Sequence, residues 1–216
     1  MDIAIYIFEK LTALDAIGPY EVLQRLPGAT VKFVGAEHGP VRTEQGMLGV
    51  IRDFTFDEVP SADILVVPGG IGTRPLVEHE PTLEWIRAID AGSTWTTSVC
   101  TGSLLLGAAG LLQGKHATTH WAALDMLRAF GAEPTSERVV EQGKIITAAG
   151  VSSGIDMALR LAAHVAGEEA AQAIQLGIEY DPQPPFDTGS KAKAPARIVD
   201  LAMGGLQREA AAAQST

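Results

Sequence analysis

The chain has 216 residues, 46% hydrophobic and 19% charged, and its 16 basic against 26 acidic side chains give a formal charge of −10. That length is enough for one domain with a real core, and the composition excludes a disordered chain. An acidic balance with no basic block argues against nucleic acid, and the one cysteine, Cys100, supports neither an intrachain disulfide nor a structural zinc site.

The first run, Ile3-Ala4-Ile5-Tyr6-Ile7-Phe8, is continuously apolar and rich in β-branched residues, which suits a strand buried on both faces. It lacks a cationic flank and meets Glu9 and Lys10, so it reads as neither a secretory signal nor a membrane span. A cytoplasmic, soluble protein is the expectation. Pro19 suits the first turn of a helix that Pro27-Gly28 stops. Residues 30–34 form a second strand, and 39–56 read as short strands or a hairpin away from the main core. Residues 63–67 are another buried strand, closed by Pro68-Gly69-Gly70. Leu83, Ile86 and Ile89 mark an amphipathic helix over 81–91. Residues 94–99 form a strand that delivers the chain to Cys100. The small apolar stretch 102–112 predicts a helix packed tightly on the sheet, and 117–130 a further helix with Leu124 and Leu127 inward, ended by Gly131. Two short strands flank Gln142-Gly143, and helices cover 154–165 and 168–176 with Gly167 at the break.

Strands alternating with helices at this spacing predict an α/β three-layer sandwich with a mostly parallel central sheet. The Pro-rich piece 181–186 ends a single domain over 1–186. Residues 187–216, with Ala210-Ala211-Ala212-Ala213, read as a C-terminal arm or helix.

Cys100 is the informative residue. It lies beyond the carboxyl end of a predicted strand, where open α/β sheets bind ligands. A strand-to-helix turn there exposes the side chain as a nucleophile elbow does, and the helix N-terminus favours thiolate. The competing reading is a buried cysteine acting as a small hydrophobe. Gly69 and Gly70 close the neighbouring strand and offer backbone N–H groups to a developing anion, unless they form a plain turn. Asp15, between Leu14 and Ile17, is either a desolvated acid/base or a helix N-cap. His116 and His120 are four apart but fall on separate elements with no third ligand, so no metal is expected.

The stations Leu14-Asp15-Ala16-Ile17-Gly18-Pro19, Val67-Pro68-Gly69-Gly70, Ser98-Val99-Cys100-Thr101-Gly102-Ser103 and Ala117-Thr118-Thr119-His120-Trp121 together resemble the ThiJ/PfpI superfamily. Its fold is the flavodoxin-like, class I glutamine-amidotransferase-like one, and the resemblance runs from Asp2 to about Phe186. Many members carry His directly after the cysteine. Here Thr101 stands there, as in the isocyanide hydratase subgroup, which the stretch 98–121 and Glu179-Tyr180-Asp181-Pro182 also resemble. The resemblance implies that Cys100 attacks an isocyanide to give a thioimidate, with Asp15 as general acid/base and Thr101 positioning Asp15 or water. Backbone N–H groups at Gly70, Thr101 and Val151 would stabilise charge. It further implies a small-molecule substrate, no metal or organic cofactor, and a homodimer. Other outcomes for such a chain are an amidase, a glyoxalase-like enzyme or deglycase, and a ligand- or redox-sensing domain. A regulator of the AraC type needs a basic helix-turn-helix region, and the thirty residues after Phe186 are too few and not strongly basic.

Overall fold

Seven of the strands pair in the order β10-β11-β7-β6-β1-β2-β5 in the computed structural model, which describes residues 1–214. In chain order the strands are β1 (Asp2–Tyr6), β2 (Thr30–Gly35), β3 (Gly39–Arg42), β4 (Gly49–Arg52), β5 (Phe54–Thr55), β6 (Ile64–Val67), β7 (Trp95–Val99), β8 (His116–Ala117), β9 (Glu133–Pro134), β10 (Val139–Gln142) and β11 (Ile145–Ala148). Only β10 runs antiparallel in the large sheet; β3 with β4 and β8 with β9 form separate two-stranded pairs. The hairpin expected within 39–56 is the β3–β4 pair, but the segment does not lie away from the main core: Val41 and Val50 are buried in it, and β5 joins the large sheet beside β2.

The helices are α1 (Ala13–Leu23), α2 (Thr73–Leu76), α3 (Glu80–Gly92), α4 (Gly102–Ala108), α5 (Ser153–Ala166), α6 (Glu168–Gly177) and α7 (Ala196–Gln214). One layer joins α1 to α5 and α5 to α6. The other groups α2, α3, α4 and a 3₁₀ helix, Trp121–Phe130. The three-layer α/β sandwich is therefore the observed fold. Apolar runs with no polar alternation become strands covered on both faces: Ile3, Ile5, Ile64, Leu65 and Val66 are wholly buried. Truncating one of them, as in Ile5→Ala, removes about 2–5 kcal/mol.

Three local expectations change. First, α1 starts six residues before Pro19, at Ala13, so Pro19 sits inside the helix and leaves the Asp15 carbonyl without an N–H four residues on. Second, α4 stops at Ala108 rather than continuing to 112. Gly110 takes φ +83° there, with the Leu111 N–H donating to the Leu106 carbonyl and the Gly110 N–H to the Gly107 carbonyl. Third, 117–130 is not one α-helix. The Thr118 N–H donates to Thr147 Oγ1 and Thr119 Oγ1 donates to the Cys100 carbonyl, holding this stretch extended before the 3₁₀ turn begins. Leu127 is buried there as expected and Leu124 half-buried.

The chain divides into two units, Met1–Ile178 and Glu179–Thr216. The first holds the large sheet and α1 to α6. The second carries the Pro-rich segment and α7, with Lys193 paired to Asp187. Residues 215–216 of the expected arm lie outside the described residues. Among the described residues no helix is long and apolar enough to cross a membrane.

Candidate active site

The register sets Val67 beside Ser98 and Val99 beside Ala148, so β6, β7 and β11 end side by side and their following loops meet. Immediately after β7 the chain turns sharply at Cys100, whose φ is +56°. A non-glycine residue in that region carries roughly 1–2 kcal/mol of strain. The surroundings hold it there. The Cys100 N–H donates to the Ala148 and Ala149 carbonyls at 3.0 and 2.9 Å, while its carbonyl accepts from Thr119 Oγ1 at 2.8 Å and Ser103 Oγ at 3.2 Å. The small residues after it are a steric requirement, since a Cβ on Gly102 would strike the Val67 carbonyl.

Across from the elbow, the Gly69–Gly70 loop lies where the sequence reading placed it. A Cβ on Gly69 would sit 2.5 Å from the Thr101 nitrogen and 2.8 Å from Cys100 Cβ. The two glycine amides are engaged within the protein: the Gly69 N–H donates to Asp15 Oδ2 and the Gly70 N–H to Thr101 Oγ1, both at 2.9 Å. The Thr101 hydroxyl returns a bond to the Gly70 carbonyl at 3.1 Å. Thr101 thus fastens the glycine loop to the elbow, and no hydrogen bond joins its hydroxyl to Asp15. The amides that stabilise charge on Cys100 Sγ are those of Thr101 and Val151. Val151, in the turn after β11, also has a positive φ, +32°.

Asp15 is wholly buried in the first turn of α1, with Thr12, not Asp15, at the N-cap. Its Oδ1 has no hydrogen-bond partner of acceptable geometry. Loss of hydration lifts the Asp15 pKa to about 8, against the pull of the Gly69 N–H; the nearby Glu44 charge adds to the rise and the Cys100 thiol opposes it. Burial also pushes the Cys100 thiol well above its ordinary range, helped by the negative charges of Asp15 and Glu44 and resisted by the Thr101 and Val151 amides. The expectation that the helix terminus would favour thiolate is therefore outweighed by desolvation. At neutral pH the pair is chiefly carboxylic acid and thiol.

His120 accepts the Ala122 N–H on Nδ1 at 3.3 Å, capping the 3₁₀ helix, and burial lowers its pKa. Its ring covers Gly150, where a Cβ would lie 2.7 Å from Cδ2. His116 sits apart on β8, 3.4 Å from Glu133. Among the described residues, no three His, Cys, Asp or Glu side chains group as metal ligands. Two participants escaped the sequence reading. Thr119 stood within a recognised motif without a role, and Glu44 had no local signal, because its partners are more than 25 residues away.

Residues 1–164 match the DJ-1/PfpI family. An isonitrile hydratase from Pseudomonas putida is 48% identical over 94% of this chain and 88% of its own length. A transcriptional regulator of the helix-turn-helix type, CdhR from Pseudomonas aeruginosa, is 31% identical over 76% of this chain, which spans 49% of that protein. Among solved structures, a ThiJ/PfpI family protein from Pseudomonas syringae superposes with a TM-score of 0.92 at 37% identity, covering 97% of this chain and 87% of the other.

Proposed function

This chain belongs to the DJ-1/PfpI family, and from that premise we propose that it is an isocyanide hydratase, converting an isocyanide and water into an N-substituted formamide. The observation that carries the reading is the buried Asp15–Cys100 pair, with an unpartnered carboxyl oxygen beside a thiol on a strained elbow. An isocyanide carbon needs a nucleophile and a proton at the same atom. This pair supplies both.

As Sγ bonds to that carbon, Asp15 delivers its proton there and takes up the thiol proton, so the carboxyl is neutral again. The product is a covalent thioimidate, S–CH=N–R. Water then adds to the carbon while Asp15 passes a proton from the water to the nitrogen. Collapse breaks the C–S bond, returns a proton to sulfur and releases the formamide. The Thr101 and Val151 amides favour negative charge on sulfur during attack and departure. No metal or organic cofactor enters these steps. The working form is expected to be a cytoplasmic homodimer, which sedimentation would check.

The deciding assay mixes purified protein with a simple alkyl or aryl isocyanide and follows formamide formation. Turnover should vanish in Cys100→Ala, and intact-mass analysis of stalled enzyme should find the substrate mass added to the wild-type chain. Because the acid form of Asp15 delivers the proton, kcat should hold below about pH 8 and fall above it. Undiminished turnover in Cys100→Ala would overturn the mechanism. Turnover of methylglyoxal with no action on several isocyanides would overturn the substrate assignment.

A further inference from the structure

Glu44 lies in the connection between β3 and β4, far in sequence from every residue of the site. One carboxylate oxygen accepts the Thr12 hydroxyl at 2.8 Å and the other the Ile71 N–H at 2.9 Å. Thr12 is the residue from which α1 starts, and Ile71 directly follows the Gly69–Gly70 loop. Backbone bonds surround the bridge: the Thr12 N–H donates to the Gly69 carbonyl, the Asp15 N–H to the Thr12 carbonyl, and the Glu44 N–H to the Leu11 carbonyl. One side chain thus joins the segment that carries Asp15 to the loop whose amide holds it. Its charge also opposes ionisation of both Asp15 and Cys100.

We propose that Glu44 is a positioning residue for the Asp15–Cys100 pair, tethering the start of α1 to the glycine loop whose amide holds the Asp15 carboxyl. Asp15 is faced by two titratable groups, the Cys100 thiol and Glu44. The segments that Glu44 spans also carry Glu9, Lys10 and Arg42, of which Glu9 accepts the Arg42 N–H and Arg42 donates to the Met47 carbonyl.

Gln separates the tether from the charge. Its amide oxygen still accepts the Ile71 N–H, and its NH₂ donates to a Thr12 hydroxyl that now accepts, while the charge is gone. Ala removes both. The kinetic consequences rest on the hydratase reading, so the primary measurement does not. Iodoacetamide alkylation of Cys100 across pH reports the pair in the protein itself. Glu44→Gln should move that profile to lower pH, raising the rate at a fixed neutral pH by about threefold, the size expected of one water-screened charge. Glu44→Ala should make the same move and also lower kcat for isocyanide by about tenfold with KM little changed. A folded Glu44→Ala protein with the wild-type alkylation profile would overturn the proposal. An altered profile in a protein that turns over no isocyanide would support Glu44 while refuting the substrate assignment.

Discussion

The two ends of the large sheet use glycine in opposite ways. At the amino ends of the parallel strands, Gly28 precedes β2, Gly92 precedes β7 and Gly143 precedes β11, and a Cβ on any of them would meet nothing within 4 Å. At the carboxyl ends, Gly69, Gly70, Gly102 and Gly150 each have another residue where a Cβ would be. Polar groups follow the same division. Around the starts of β7 and β11, Asp90, Ser93, Thr96 and Lys144 are joined by hydrogen bonds. Beyond the other end, Asp15 keeps a buried oxygen unpartnered and Cys100 keeps a positive φ. One end leaves room around its glycines, although Gly28 and Gly143 take positive φ. The other stores strain and unmet polarity, which is what a site for proton transfer and covalent attack requires.

The strongest test of that contrast removes the proposed Asp15–Cys100 pair. Cys100→Ala should lose turnover by about 10⁴-fold or more, and Asp15→Asn by about 10³-fold. Asp15→Asn should at the same time stabilise the protein, because its folded pKa of about 8 lies above the ordinary carboxylate range. A buried acid of this kind contributes most at low pH, and its contribution is lost as pH rises through the folded value. Wild-type stability should therefore fall by roughly 1.4 kcal/mol per pH unit between about pH 4 and 8, through this group, and the slope should flatten in Asp15→Asn. Denaturant titrations at several pH values would check it. Equal slopes would mean that Asp15 is ordinarily ionised and the end is less strained than described.

Gly69→Ala comes next. Its Cβ would press on Thr101 N and Cys100 Cβ, displacing the elbow by a fraction of an ångström, and kcat should fall by about 100-fold. Thr101→Val should be milder. It keeps the shape but leaves the Gly70 N–H without its acceptor, so a loss of about tenfold is expected, recovered in Thr101→Ser. If Thr101→Ser fails to recover activity, the hydroxyl bridge is not what matters.

The strand framework was the easier part to read. Unbroken apolar runs become buried strands because nothing polar in them needs an exit, and β1 and β6 emerge where the runs lie, whereas β7 buries Thr96, Thr97 and Ser98, with Thr97 Oγ1 donating to the Leu65 carbonyl. Cys100 and the glycine loop were legible too, because a strand followed by small residues is a local signal. What escaped was decided across long sequence distances. The sequence left Asp15 between a cap and an acid, since either suits Asp near a helix start; the choice falls to Thr12 at the cap and Gly69 opposite the carboxylate. The stretch 117–120 reads as the start of the helix that Leu124 and Leu127 mark, yet Thr147 and the Cys100 carbonyl claim its polar groups. Glu44 looked like one acidic residue in a hairpin until Thr12 and Ile71 were placed against it.

The smallest expected effect is at the opposite end, and it is the control on which the comparison depends. Gly143 joins β10 to β11 with φ +65° and open space around its Cα. In Gly143→Ala the only penalty is the left-handed backbone, about 1 kcal/mol of stability. No atom must move to admit the methyl group, so β11 should keep its pairing with β7 and deliver Ala149 to Val151 unchanged. Turnover should stay within twofold of wild type while the unfolding midpoint falls slightly. A tenfold loss of kcat in a folded Gly143→Ala protein would mean that strain passes along β11 to the Val151 amide, and the two ends would not be independent.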